Sequence, residues 1–286
     1  MSQALNGPLR IDFAYPGDIN APTGGYGYDR RVMRELSALG CAIRPIALPE
    51  SFPYPSDADL AEAQRLLAGG ERDALVIDGL AYSVLPGDLI AALSPKPVAL
   101  VHHPLFLEAG LAPEEAMRLK ALEQIALDAA GAVITTSAMT SAIVAREFAV
   151  ARSRLFHAPP GVDPAQRAQG SRDGTVQMFS VGSLTPRKGY ADLVQALGNV
   201  SGDWRLAVAG SRDLAPGHAR EIEALIVEKS LGDRIRLAGA MKADEIAAGY
   251  MSADLFVTPS HFEGFGMAIA EAVSYTHLTL PTNREV

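Results

Sequence analysis

Short, unbroken apolar runs separated by longer Ala-, Leu- and Glu-rich stretches leave this chain few folds to adopt. The runs fall at residues 11–15, 42–48, 74–78, 98–101 and 132–136, then at 176–181, 204–209, 234–238 and 254–258. They are continuous rather than alternating, as strands covered on both faces are. Between them lie helical patterns. Pro113–Ala130 sets Leu119, Leu122, Ala126 and Ala129 at helical spacing, with Glu114, Glu115, Lys120 and Glu123 off that stripe. Pro113 opens the segment and Gly131 closes it. His218–Leu231 repeats the pattern with Ile222, Leu225, Ile226 and Lys229, ending at Gly232. Strands alternating with helices predict an α/β chain of parallel sheets with crossover helices.

The polar, Pro- and Gly-rich stretch 159–174 reads as a linker between two such units. Length agrees, since 286 residues at roughly 150 per domain give about two domains. The boundaries expected are 1–165 for the first unit and 166–273 for the second. The last segment, Ser274–Val286, contains no Ala or Gly and three Thr, and breaks off an Ala-rich helix opening. It reads as a non-native tail without packing partners, set aside from functional argument.

Composition excludes several classes. A hydrophobic fraction of 48% rules out global disorder. Lys plus Arg total 25 against 33 Asp plus Glu, and the net charge of −8 gives no overall pull toward nucleic acid. One cysteine, Cys41, excludes an internal disulfide or a Cys-rich zinc site. No apolar run reaches the ~18 residues of a membrane span, and the N-terminus has no basic-then-apolar leader. A cytoplasmic protein is expected, with peripheral membrane contact through a local patch left open.

Four segments carry candidate chemistry, each where an expected strand meets a helix. In PSHFEGFGMAIAEA (259–272), Glu263 and Glu271 stand eight positions apart, ~12 Å along a helix. Two carboxylates at that span suit hydroxyls at the two ends of a nucleotide-sugar. Gly264 and Gly266 allow close backbone approach, and a helix start favours phosphate. In VGSLTPRKGY (181–190), Arg187 and Lys188 sit at a strand exit, where open α/β sheets bind ligands. Fixed cations there would stabilise a departing diphosphate. In PTGGYGYDRRVMREL (22–36), a loop bearing Gly24 and Gly25 offers backbone N–H groups, although Arg30 stands where a dinucleotide fingerprint needs its third glycine. In VHHPLFLE (101–108), His102 and His103 emerge at a strand exit, with Glu108 too little company for a zinc site.

Taken in order, these segments resemble the retaining glycosyltransferases of family 4. ITTS (134–137), PPGVD (159–163), LAVAG (206–210) and ADLFVTPS (253–260) add to the resemblance, which covers residues 10 to about 273. It implies the GT-B fold, two Rossmann-like doubly wound domains facing a cleft, the first binding acceptor and the second a UDP- or GDP-sugar. It implies donor-sugar contact for Glu263, ribose hydroxyls for Glu271 and the diphosphate for Arg187 and Lys188. Backbone groups of Gly264, Phe265 and Gly266 would meet the sugar, and the Gly24–Gly25 loop would cover the phosphates. His102, or else His103, would stand near the reacting centre. No metal or other cofactor is expected, and the acceptor (sugar, lipid or small molecule) stays open. Family members continue past the EGFG helix, so the resemblance also implies an incomplete second domain with impaired turnover. A nucleotide-sugar-binding fragment without turnover, or another GT-B enzyme such as an epimerase or phosphorylase, stays open beside the transferase.

Overall fold

The structure, a computed structural model, describes residues 7–276. It divides into two compact units at Pro160/Gly161, five residues before the boundary expected from sequence.

Unit 1 holds a six-stranded parallel sheet: β1 (Arg10–Pro16), β2 (Ala42–Leu48), β3 (Ala74–Asp78), β4 (Val98–Val101), β5 (Ala132–Thr135) and β6 (Leu155–His157). Its order is β2-β1-β3-β4-β5-β6. Helices α1 (Gly24–Ala38), α2 (Asp57–Ala68), α3 (Gly79–Tyr82), α4 (Gly87–Ala92), α5 (Pro113–Ala129) and α6 (Ala138–Glu147) connect the strands. The winding reverses between β1 and β3, the crevice where such sheets take ligands. The larger core gathers Leu67, Leu75, Ile77, Tyr82 and Leu127, and a smaller one joins Phe13, Tyr15, Tyr28 and Leu100.

Two sequence expectations change here. Strand β6 was not expected; it is three residues long at the sheet edge, with Phe156 exposed, so it lacks the buried apolar run that marks its neighbours. On α5 the buried positions are Leu119, Glu123, Ala126 and Leu127, while Leu122 and Ala129 are only partly buried. Glu123 therefore lies on the buried face rather than off it. The reason is local: its carboxylate accepts hydrogen bonds from Leu105 N (3.0 Å), Phe106 N (3.2 Å) and Ser83 Oγ (3.1 Å). Those bonds satisfy a turn that follows β4 and offset the cost of burying the acid.

Unit 2 holds a four-stranded parallel sheet, β7 (Val176–Val181), β8 (Trp204–Ala209), β9 (Ile235–Gly239) and β10 (Leu255–Phe256), in the order β10-β7-β8-β9. Helices α7 (Tyr190–Leu197) and α8 (Pro216–Glu228) pack with a core of Leu184, Leu206 and Ile222. A second core joins Phe179, Tyr250 and Ala272, the last two from α9 (Ala243–Ser252) and α10 (Met267–Ser274). The switch of winding direction falls between β7 and β10.

Helix α10 opens at Gly266, which takes a left-handed φ of 88°. Glu263 thus precedes the helix, and only the last part of the path to Glu271 is helical; the ~12 Å expected from eight helical steps does not describe it. Tyr275, inside the stretch read as an unpacked tail, stacks on Tyr250 with ring centres 5.0 Å apart, and its carbonyl accepts the Ala168 N–H at 2.9 Å. An aromatic ring beside an open tyrosine face has a packing partner whatever its origin. The remainder of that stretch, 277–286, lies outside the described residues.

Candidate active site

In unit 2 the chemistry gathers at the switch point. Arg187 and Lys188 lie in a single 3-10 turn, 186–188, after β7, and Gly189 then takes φ 66°. A Cβ at Gly189 would sit 2.2 Å from the Pro259 carbonyl, so only glycine lets this turn lie against the segment that follows β10. The two segments are joined by a His261 N–H to Arg187 carbonyl bond (3.0 Å) and by Arg187 Nη1 donating to the Phe262 carbonyl (2.9 Å). Lys188 Nζ donates to Glu263 Oε1 at 2.6 Å, and Arg187 Nη1 lies 3.7 Å from Glu263 Oε2. Burial would raise the Glu263 carboxyl, but the Lys188 hydrogen bond and charge, helped by Ser260 and Arg187, hold it below the usual carboxylate range.

Glu271, one turn into α10, stands apart from that cluster. The Tyr250 hydroxyl lies 3.1 Å from its Oε2 and 3.1 Å from the Ala268 carbonyl. Burial raises the Glu271 carboxyl, and the Tyr250 bond only partly counters it. Gly264, Phe265 and Gly266 form the bend between the two glutamates, with Phe265 exposed at 37%.

In unit 1 the candidates meet at the β1/β3 switch point. Gly24 and Gly25 are the first residues of α1 rather than a loop before it; Thr23 is the N-cap, its hydroxyl accepting from Tyr26 N. The N–H groups of such a first turn have no preceding helical carbonyl to bond. Gly25 backs onto His102, whose ring is 3.5 Å from where a Cβ would be. His102 leaves the end of β4 with Nε2 2.9 Å from Asp29 Oδ1 and 3.4 Å from Asp78 Oδ2. Tyr28 packs edge-on against its ring at 5.3 Å. His103, the alternative, faces Glu108 instead, Nε2 to Oε2 3.6 Å.

Asp29 and Asp78 were not singled out from sequence. Asp78 ends β3 and caps α3, Oδ1 accepting the Leu80 N–H at 2.7 Å. Asp29 sits among charged residues in YDRRVMREL and is fully buried. An acid in such a run normally faces water, and the 73-residue separation from His102 hides its partner. Together with His102 the two acids offer donor atoms within 4.8 Å of one another, the one grouping of metal-ligand spacing among the described residues. Nε2, the ring atom nearest both acids, is already engaged with them, so a metal there would have to break that contact. A groove of about 790 Å³ in unit 2 lies along the N-terminal halves of β7, β8 and β9 by Arg205 and Arg236 and includes none of the candidate residues. No helix among the described residues is long and apolar enough to cross a membrane.

Residues 162–285 match the model of the family described as glycosyl transferases group 1, including most of the stretch set aside as a tail. A D-inositol 3-phosphate glycosyltransferase of Xylanimonas cellulosilytica is 30% identical over 183 residues, 58% of this chain and 43% of that protein. A GDP-mannose:cellobiosyl-diphosphopolyprenol alpha-mannosyltransferase of Xanthomonas oryzae pv. oryzae is 29% identical over 241 residues, 82% of this chain and 61% of that protein. The chain thus spans less than two thirds of the length of these relatives. Among solved structures, sucrose-phosphate synthase from Thermosynechococcus elongatus superposes with a TM-score of 0.76 at 19% identity, over 93% of this chain and 79% of that one. HepE of Anabaena, in complex with UDP and glucose, gives 0.66 at 16% identity, over 93% and 78%.

Proposed function

We propose that this chain, whose residues 162–285 match the model of the group 1 glycosyl transferases and whose two Rossmann-like domains have the GT-B fold, transfers a sugar from a nucleoside diphosphate to an acceptor with retention of configuration. Unit 2 takes the donor. The observation that carries this reading is the junction of Arg187, Lys188 and Glu263 at the β7/β10 switch point, two cations and an acid bound to one another. A donor's diphosphate meets Arg187 and Lys188, which release Glu263 to hydroxyls of the transferred sugar. Glu271, held by Tyr250, takes the ribose hydroxyls, and the backbone of Phe265 and Gly266 meets the sugar. With two fixed cations facing the leaving group, the charge that grows on the diphosphate is balanced without a metal ion.

Unit 1 takes the acceptor, with His102 at its reacting end and the first-turn N–H groups of Gly24 and Gly25 open to phosphate oxygens. Retention follows a front-face course. The anomeric C–O bond to the diphosphate breaks, the acceptor oxygen bonds to the same face, and its proton passes to the departing phosphate oxygen. The chemistry suits a UDP- or GDP-sugar equally.

Calorimetric titration of the full chain with UDP- and GDP-sugars tests the reading. One base is expected to bind, and Lys188→Ala and Glu271→Gln each to weaken it more than tenfold. Equal binding by the native chain and both variants, or none by the native chain at millimolar donor, would remove it. Binding with no release of nucleoside diphosphate in the presence of acceptors would favour a binding module.

A further inference from the structure

The triad in unit 1 asks a question that donor binding leaves unanswered: why two carboxylates converge on one imidazole nitrogen. Nε2 faces both Asp29 Oδ1 (2.9 Å) and Asp78 Oδ2 (3.4 Å), and an ionised carboxylate can only accept, so with either acid ionised Nε2 is placed to carry a proton toward it. Asp29 is fully buried, and its other oxygen, Oδ2, has no hydrogen-bond partner. Asp78 cannot turn away, because its Oδ1 caps α3. Two acids held in a desolvated site with a neutral imidazole would leave one or two uncompensated negative charges there, the costliest arrangement available. A second proton, on Nδ1, removes one of those charges.

We propose that Asp29 and Asp78 are positioning residues that hold His102 as a permanent imidazolium, its Nε2–H consumed by the acids and its Nδ1–H left as a fixed cationic donor for an anionic oxygen of the substrate. His102 then stabilises charge and takes no part in removing the acceptor's proton. The charged groups acting on His102 are Asp29 on α1 and Asp78 at the end of β3; those acting on Asp29 are His102 and Asp78. Tyr28 packs against the ring, its hydroxyl donating to the Ala158 carbonyl, and Tyr26, whose hydroxyl donates to the Pro16 carbonyl, lies in the field of both acids. The balance of forces agrees. Burial alone would lower the His102 pKa, but the two acids outweigh it and lift it to about 10, while burial beside Asp78 pushes Asp29 up to about 7. The inference rests on the transferase reading only for what the Nδ1–H meets.

Its test therefore needs no donor and no turnover. The full chain, labelled in its histidine rings, is titrated from pH 5.5 to 9 by NMR, with His102→Asn assigning the signal. The His102 ring is expected to keep both N–H protons throughout. Asp29→Asn, or Asp78→Asn if the first does not fold, is expected to bring its titration down by more than one pH unit. A native His102 that loses its proton near pH 6.5, or one that stays cationic in both variants, would overturn the proposal. So would one equivalent of zinc displacing the ring proton in the native chain, since the triad would then be a metal site.

Discussion

Lys188 and Glu263 come from segments 75 residues apart and end 2.6 Å from each other, with side chains only 16% and 23% exposed. Removing one partner of an ion pair that far out of water costs more than breaking a surface pair, because it leaves a poorly solvated charge behind. Removing the cation by Lys188→Ala leaves Glu263 half-buried with a weaker partner, and a loss of about 2 kcal/mol in denaturant unfolding is expected. The Glu263 carboxyl lies below its usual range, so the pair's contribution is present above the unfolded carboxyl's titration, near pH 4.3, and is lost as pH falls through the lower folded value. Glu263→Gln is expected to flatten that acid limb. Tyr250→Phe, which takes one hydroxyl from Glu271, is expected to cost about 1 kcal/mol. Much of this was legible: Arg187, Lys188, Glu263 and Glu271 stand out by their place beside glycines at strand exits. That three of them form one bonded cluster was not, because contact across 75 residues leaves no local trace. Asp29 was hidden for the opposite reason, since its neighbourhood in the chain looks solvated and only His102 draws it inward.

The turn after β4 shows how one element steers another. Glu123, on α5, satisfies the Leu105 and Phe106 N–H groups just past His102 and His103. Glu123→Ala orphans both amides and the Ser83 hydroxyl, at ~1–3 kcal/mol for each buried group left unpaired, so a loss of about 3 kcal/mol is expected. Burial pushes the Glu123 carboxyl up to about 7, against the pull of the Leu105 and Phe106 N–H groups and the Ser83 hydroxyl. Its folded value exceeds its unfolded one, so the contribution is full below about pH 4.3 and is lost as pH rises through 7. Denaturant unfolding at pH 5 and pH 8 reads this. The native chain is expected to lose stability between them, and Glu123→Gln to show a smaller difference. Apolar periodicity located α5 and most of the strands but put Glu123 on the wet side, because periodicity ranks residues by polarity and takes no account of a waiting donor. It also ran α10 back through Gly266, where a left-handed glycine starts the helix afresh.

Each unit closes its own hydrophobic cores, with Leu75 and Tyr82 in the first and Leu206 and Ile222 in the second. Units of this kind unfold as separate cooperative bodies unless something outside their cores couples them. The chain carries one tryptophan, Trp204, on β8 of unit 2 with 3% of its surface exposed and its ring covered by Arg234 at 4.1 Å. Tryptophan fluorescence therefore follows unit 2 alone, whereas far-ultraviolet dichroism follows both sheets. The two probes are expected to give non-coincident denaturant curves. Leu206→Ala, at a fully buried site, is expected to shift the fluorescence transition by ~2–5 kcal/mol, and Leu75→Ala to move the dichroism curve while leaving fluorescence in place. The same probe locates the donor. A nucleoside diphosphate sugar held by Arg187, Lys188 and Glu271 binds only folded unit 2, and at a hundred times its dissociation constant it adds about 2.7 kcal/mol to the body it binds. Saturating donor is thus expected to move the fluorescence transition and leave the unit 1 component of the dichroism unchanged. A shift confined to the dichroism would place the nucleotide in unit 1, at the first turn of α1, and would transfer the diphosphate role from Arg187 and Lys188 to Gly24 and Gly25.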